Sequence, residues 1–341
     1  MAYKFLTLDD ALAPRPGLTW LIEGLIPERS FTAFYGYPGS LKSTVVLDMA
    51  MAVATGKPFL PAMPGSTNNF SGFKTTWAPV VWIDLDNGPD VTAERLAAFS
   101  RGYQAAPGTL FYWLSYPMPT IQATRRASVD ALQAALLTLP HRPGWIILDT
   151  LLRAAGVRDE NSSEMDIVMQ NLHSLAENVG AALTVISHSR KENSGRAGNG
   201  LRGHSSIEGG LDSVFLVSRE RNNEDLIEVV NQKARRKPVD PFGARWTYTA
   251  DPISQELEEA RFYWEPVTKR LTKTQAAVLN TCQEIQDALT ANGSMIQSSL
   301  YAMVGGSRKV FDEAISRLHR DGIIGITQGA KNAKKISLQI P

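Results

Sequence analysis

At 341 residues the chain has the length of about two domains. Hydrophobic residues at 43%, charged residues at 20%, 26 Gly and 19 Pro describe a packed globular chain and exclude disordered and collagen-like classes. The one cysteine, Cys282, excludes a disulfide framework, and a formal charge of +1 excludes the global basic field that would by itself announce nucleic acid. No apolar run approaches the ~18–20 residues that span a bilayer, and the N-terminal stretch carries neither an apolar core nor a cleavage pattern. The expectation is therefore a cytoplasmic chain with no membrane partner.

In chain order, residues 31–35 form a β-prone aromatic run that stops at Gly36, and residues 41–55 turn to helical periodicity and end at Gly56. Residues 64–79 look like a loop insertion. Two apolar runs, Val80–Asp84 and Trp145–Asp149, end in acidic residues and lead into helix-compatible segments. Further strands are predicted over 182–187, 213–217, 226–231, 245–249 and 261–267, with a helix over 164–179. The acidic stretch with Glu256, Glu258 and Glu259 reads as a solvated tip between the last two strands. Apolar strands separated by helices predict an α/β fold with a parallel sheet covered on both faces. From residue 271 the texture changes to three helices (274–291, 295–304, 308–320) and two strands, the order of a winged helix-turn-helix. The predicted domains are 1–268 and 269–341.

The chemistry-bearing motif is Gly36-Tyr-Pro-Gly-Ser-Leu-Lys-Ser43, set between a strand and a helix. In that context backbone amides cradle phosphate oxygens at the helix N-terminus, while a Lys and a Ser/Thr reach the terminal phosphates and Mg²⁺. Lys42 and Ser43 fill those posts, with Gly36, Gly39, Ser40, Leu41 and Thr44 completing the nucleotide cradle. Leu41 stands where the pattern has its second Gly; Gly39 supplies part of the conformational freedom. The competing reading is a surface turn with a coincidental Lys. Asp149, at a buried strand tip, suits the Mg²⁺ shell, or else simply terminates the strand. Asp86, two residues past the end of Val80–Asp84, suits a base for the attacking water; the alternative is an Asx turn at Asp86-Asn87-Gly88.

Taken together, the stretches 20–44, 80–88, 145–161, 185–191, 201–219 and QKARRKP at 232–238 resemble the RecA/DnaB-like ATPases. The nearest branch is the RepA-like one, with its hexameric plasmid and phage replicative helicases. The resemblance covers about residues 18–250. It implies a RecA-like core, ATP with Mg²⁺, and a ring or filament with nucleotide at subunit interfaces and single-stranded DNA in its centre. Residue by residue it makes Lys42 and Ser43 the Walker A pair and Asp149 the Walker B Asp. It puts Asp86 where the family carries a catalytic Glu, a departure that shortens the side chain by one methylene. It makes His188 a sensor of the γ-phosphate, and Lys233 and Arg235 a finger reaching the neighbouring subunit's site, with Arg236 an alternative. The Gly-rich stretch 191–210 resembles a central DNA-binding loop with Arg196 and Arg202 as phosphate contacts, although Arg202-Gly203 and Ser205-Ser206 also match a family element at the nucleotide interface. The blander readings are a strand-capping His, a solvated basic hairpin and a connector without a ligand.

From Arg270 onward nine Lys/Arg stand against five acids, so the basic excess is local. Arg308 and Lys309 open the expected recognition helix, and Lys331, Lys334 and Lys335 occupy the wing, a distribution suited to duplex DNA or, alternatively, to protein contacts. The sequence thus predicts an ATP-dependent DNA motor, a replicative helicase of a plasmid, phage or mobile element. Two other readings stay open: a RecA-like ATPase that does not unwind, serving as loader or recombination accessory, and a nucleotide-gated DNA-binding regulator.

Overall fold

The computed structural model describes residues 5–14, 17–157, 163–189, 205–220, 223–236, 238–267, 273–320, 323–328 and 334–339. The chain divides into two compact units, 1–267 and 268–341.

In the first unit, α1 (Leu8–Leu12) precedes an antiparallel pair, β1 (Trp20–Ile22) and β2 (Ile26–Pro27). Strand and helix then alternate through β3 (Phe31–Gly36), α2 (Lys42–Thr55), β4 (Val80–Asp84), α3 (Pro89–Gly102), β5 (Phe111–Ser115), α4 (Arg126–Leu137) and β6 (Trp145–Asp149). They continue through α5 (Leu151–Ala155), α6 (Met165–Val179), β7 (Ala182–His188), α7 (Ser205–Gly210) and β8 (Ser213–Arg219). Three antiparallel strands follow, β9 (Leu226–Ala234), β10 (Phe242–Ala250) and β11 (Leu257–Glu265). All nine strands from β3 to β11 form one sheet in the order β11-β10-β9-β8-β3-β7-β6-β4-β5, parallel from β8 to β5.

This is an α/β architecture built on a large and mostly parallel sheet. Strands β3, β4 and β6 are buried along their whole length, because helices cover both faces. One apolar layer joins β3 and β4 to α2 and α3 through Phe34, Val46, Val53, Trp82 and Phe99. The other joins the opposite face to α4, α5 and α6 through Ile83, Val129, Leu148, Leu151 and Leu172. The consequence for function is that the loops after β3, β4, β6 and β7 emerge on one edge of the sheet, where open parallel sheets place ligands.

Two local expectations differ, and a third gains detail. The edge strand β5 is absent from the sequence reading, because its half-exposed aromatic run carries no acidic end. Residues 64–79 are an irregular loop, as expected, anchored at two points: Phe73 bridges Phe59, and Phe70 lies against the Trp264 ring at 4.3 Å. Strand β11 starts at Leu257, so Glu258 and Glu259 are exposed strand residues and not part of a tip.

The second unit contains α8 (Lys273–Asn292), β12 (Met295–Ile296), α9 (Gln297–Val304), α10 (Arg308–Arg320), β13 (Ile324–Gln328) and β14 (Lys334–Leu338). Its strands form an antiparallel sheet in the order β12-β14-β13. The two-residue β12 takes the first part of the helix expected from Met295. Phe311, Ala314, Ile315 and Leu318 of α10 face a core with Ile285, Leu300 and Ile336, as their spacing predicts.

Candidate nucleotide site

The phosphate-loop sequence folds as a turn from β3 into α2. Gly36 ends the strand because nothing larger fits: a Cβ there would lie 2.3 Å from the Val217 carbonyl oxygen. Gly39 takes φ +77°, and Leu41 itself takes φ +61° at the N-cap of α2, the left-handed conformation that glycine adopts without strain. The loop therefore closes without its second glycine. No side chain caps α2, which leaves its first amides at an anion-attracting helix end. Lys42 is 6% exposed, with Nζ 3.4 Å from the Tyr37 carbonyl oxygen. Burial holds its pKa below the ordinary lysine range, against the opposing pull of Asp149 and Asp86.

The acidic strand ends meet beside it. Asp84 and Asp149 are register partners on neighbouring strands, and both are buried. The Ser43 side chain lies close enough to Asp149 to draw its carboxyl pKa down. Burial pushes the Asp149 carboxyl up to about 7; the Ser43 hydrogen bond opposes this, and the Asp84 and Asp86 carboxylates add to it. Asp86 sits on the same edge, ion-paired with the Arg153 guanidinium at 2.9 Å. The turn after β4 is organised by Asp84, not Asp86. Asp84 accepts from the Asp86 and Asn87 amides at 3.1 and 2.8 Å, from the Asn87 side chain, and from the Thr92 hydroxyl at 3.1 Å. That arrangement frees the Asp86 carboxylate from the local turn.

His188 ends β7 as the register partner of Gly36, which brings it to the loop. Lys233 and Arg235 lie elsewhere. Lys233 pairs with Val214 and Arg235 follows Ala234, partner of Ser213, which in turn lies beside Thr32. They stand level with the amino end of β3, which lies roughly 13 Å from Gly36 along the strand at ~3.3 Å per residue. There Lys233 donates to the Glu208 carbonyl and Arg235 donates to the Gly209 carbonyl at 2.9 Å, with Asp212 at 3.5 Å. Burial, and then Arg235, lowers the Lys233 pKa, while Glu208 and Asp212 oppose. Arg236 lines a cavity of about 130 Å³ at that same end. Of the residues expected on DNA, Arg196, Arg202 and Lys331 lie outside the described residues. In the second unit Lys309, Lys334 and Lys335 are exposed, and Arg308 pairs with Asp312 at 3.2 Å and lies over the Tyr301 ring.

The residues fit a nucleotide polyphosphate with Mg²⁺. The hydroxyls of Ser40 and Ser189 are buried beside the loop without a hydrogen-bond partner, the Ser189 amide donating to the Gly36 carbonyl at 3.1 Å. Orphaned buried donors of this kind suit phosphate oxygens. Among the described residues no group of three or more His, Cys, Asp or Glu is arranged to hold a metal. The Ser43 and Asp149 oxygens alone suit Mg²⁺, which takes few protein ligands and completes its shell with phosphate and water. Sequence reasoning missed Ser189, Arg153 and the turn role of Asp84. Only Asp84, as a polar residue closing a buried strand, left a local signal. Among the described residues no helix is long and apolar enough to cross a membrane.

Three comparisons with known proteins bear on the family of the chain. A family model described as an AAA domain matches residues 1–194, more than half of the chain. Among solved structures, the RadB recombinase is similar with a TM-score of 0.42 and 15% identity, over 64% of this chain and 87% of that chain. Comparison with curated proteins gives no match. The chain belongs to the AAA-domain family.

Proposed function

We propose that the protein is an ATP-dependent DNA motor of the RepA-like type, a replicative helicase of a plasmid, phage or other mobile element, working in the cytoplasm. The observation that carries the reading is the set of the buried Lys42, Ser43 beside the buried Asp149, and Asp86 on the same edge. In it the loop amides and Lys42 hold the phosphates, and Ser43 and Asp149 hold Mg²⁺, which supplies charge neutralisation at the transferred phosphoryl group. Asp86 orients and deprotonates the attacking water, and His188 reads the γ-phosphate. The position of Lys233 and Arg235, remote from their own loop, supports service to a neighbouring subunit's nucleotide, and hence a hexameric ring with a shared site.

For DNA, the proposal assigns single strands to the central loop with Arg196 and Arg202. It assigns duplex to a winged-helix domain at 269–341, whose Arg308, Lys309, Lys331, Lys334 and Lys335 meet the backbone. The exposed Lys309, Lys334 and Lys335 support that assignment. Strand displacement on a forked substrate tests it. ATP-dependent separation that fails in Lys42→Ala supports the motor. DNA-stimulated hydrolysis without separation points to the non-unwinding ATPase, and DNA binding gated by nucleotide without turnover points to a regulator.

A further inference from the structure

Strand β8 runs parallel to β3 on the side away from β7, with Leu216 the partner of Tyr35. Arg219, three residues further on, therefore projects past the end of β3 to the level of the phosphate loop. Its Nη1 lies 3.4 Å from the Gly39 carbonyl oxygen, although 180 residues separate the two in sequence. The same guanidinium is held from behind by Glu224: Nε donates to the Glu224 carbonyl, and Nη2 lies 3.5 Å from its carboxylate. Loop and strand are packed without slack here, since any Cβ on Gly36 would collide with the Val217 carbonyl two residues before Arg219. The fold itself thus places the guanidinium beside the loop.

We infer that Arg219 is a further nucleotide-binding residue, a cation contributed by the same chain that turns from Glu224 onto the phosphate oxygens of a bound nucleoside triphosphate. The inference rests on the nucleotide reading above. Nε is held by the Glu224 carbonyl, but the partners of the two terminal nitrogens are weak ones. The Glu224 side chain is 83% exposed, and an ion pair in that setting contributes little. The Gly39 carbonyl is a neutral acceptor at long range. A polyphosphate within the same reach offers several anionic oxygens, to which a guanidinium binds in bidentate, charge-assisted fashion. Lys42 is buried inside the loop, so Arg219 supplies a second cation from outside it. This position differs from that of Lys233 and Arg235, at the opposite end of β3. Glu224 acts as a competitor that holds the guanidinium ready and lowers the affinity it would otherwise give.

Titration of a fluorescent ATP analogue with Mg²⁺ into the full chain tests this through changes of opposite sign. Arg219→Gln is expected to weaken binding about tenfold and Glu224→Gln to tighten it about twofold, at equal melting temperatures, with Arg219→Lys in between. A structural latch would instead make both substitutions weaken binding together, and that result overturns the inference, as does wild-type affinity in Arg219→Gln. Should either Gln variant melt early, Arg219→Lys decides alone: binding as tight as wild type overturns the inference, and intermediate binding supports it. Lys42→Ala separates this test from the nucleotide reading. Binding lost in Lys42→Ala but intact in Arg219→Gln removes only Arg219, whereas no binding by the wild type removes both.

Discussion

Gly36→Ala places a methyl group where the structure has a backbone oxygen. The new Cβ would stand 2.3 Å from the Val217 carbonyl oxygen and 2.6 Å from Ser40 Oγ. An ordinary carbon–oxygen contact is about 3.3 Å, so roughly 1 Å of separation must be found. The Ser40 side chain can rotate away, but Val217 sits in a strand paired with both β3 and β9 and cannot yield alone. Overpacking of this kind costs about 1–3 kcal/mol, which for a core of this size is a fall of about 3–10 °C in Tm. Because the displaced atoms are the loop itself, nucleotide affinity should fall with stability. Gly39→Ala is the control: its Cβ meets nothing within 4 Å, so only the strain of φ +77° remains, and the loss should be the smaller one. Thermal melting followed by circular dichroism, with nucleotide titration on the same samples, measures both. A Gly36→Ala variant with wild-type melting and wild-type affinity would refute the close approach of loop and β8.

A second expectation separates the acids at the site. Asp149→Asn should weaken Mg²⁺-dependent nucleotide binding, whereas Asp86→Asn should keep binding and lose turnover; equal loss of binding in both variants would contradict the division. A third concerns Asp48, buried in α2, which accepts from the Tyr103 hydroxyl at 2.8 Å and the Phe262 amide at 3.0 Å. Burial raises its pKa from 3.8 to about 7, against those hydrogen bonds and the nearby Arg261 guanidinium. The folded chain thus keeps a proton that the unfolded chain releases, and the associated stability is full below pH 3.8 and lost as pH rises through 7. Relative to Asp48→Asn, the wild type should lose up to about 1.4 kcal/mol per pH unit between pH 5 and 7. Parallel stability curves for the two proteins would exclude a raised pKa at Asp48.

The strand, glycine turn and helix around Lys42 were legible because a change from β to helical periodicity coincides with Gly36 and Gly39, a signal local in sequence. Asp149 and Asp86 were legible as acids at or just past the ends of apolar strands. The packing at Leu41 was not, since only backbone geometry reveals that a leucine accepts φ +61° there. The role of Asp84 is not legible in sequence because it depends on which of two nearby carboxylates the turn amides select. Arg219 reaches the loop only through the pairing of β8 with β3, a contact between distant segments that no local pattern encodes. The opposed placement of Gly36 and Arg235 likewise follows from strand direction, which the resemblance implied as a shared site but the residues alone did not give.

The most direct test of the account is binding and turnover of Mg-ATP by the full chain beside Lys42→Ala. Lys42 is buried within the loop, so its removal should abolish nucleotide binding and hydrolysis while melting temperature and secondary structure stay close to wild type. A folded Lys42→Ala protein that binds and hydrolyses Mg-ATP as the wild type does would contradict the assignment of residues 36–44 as the phosphate loop.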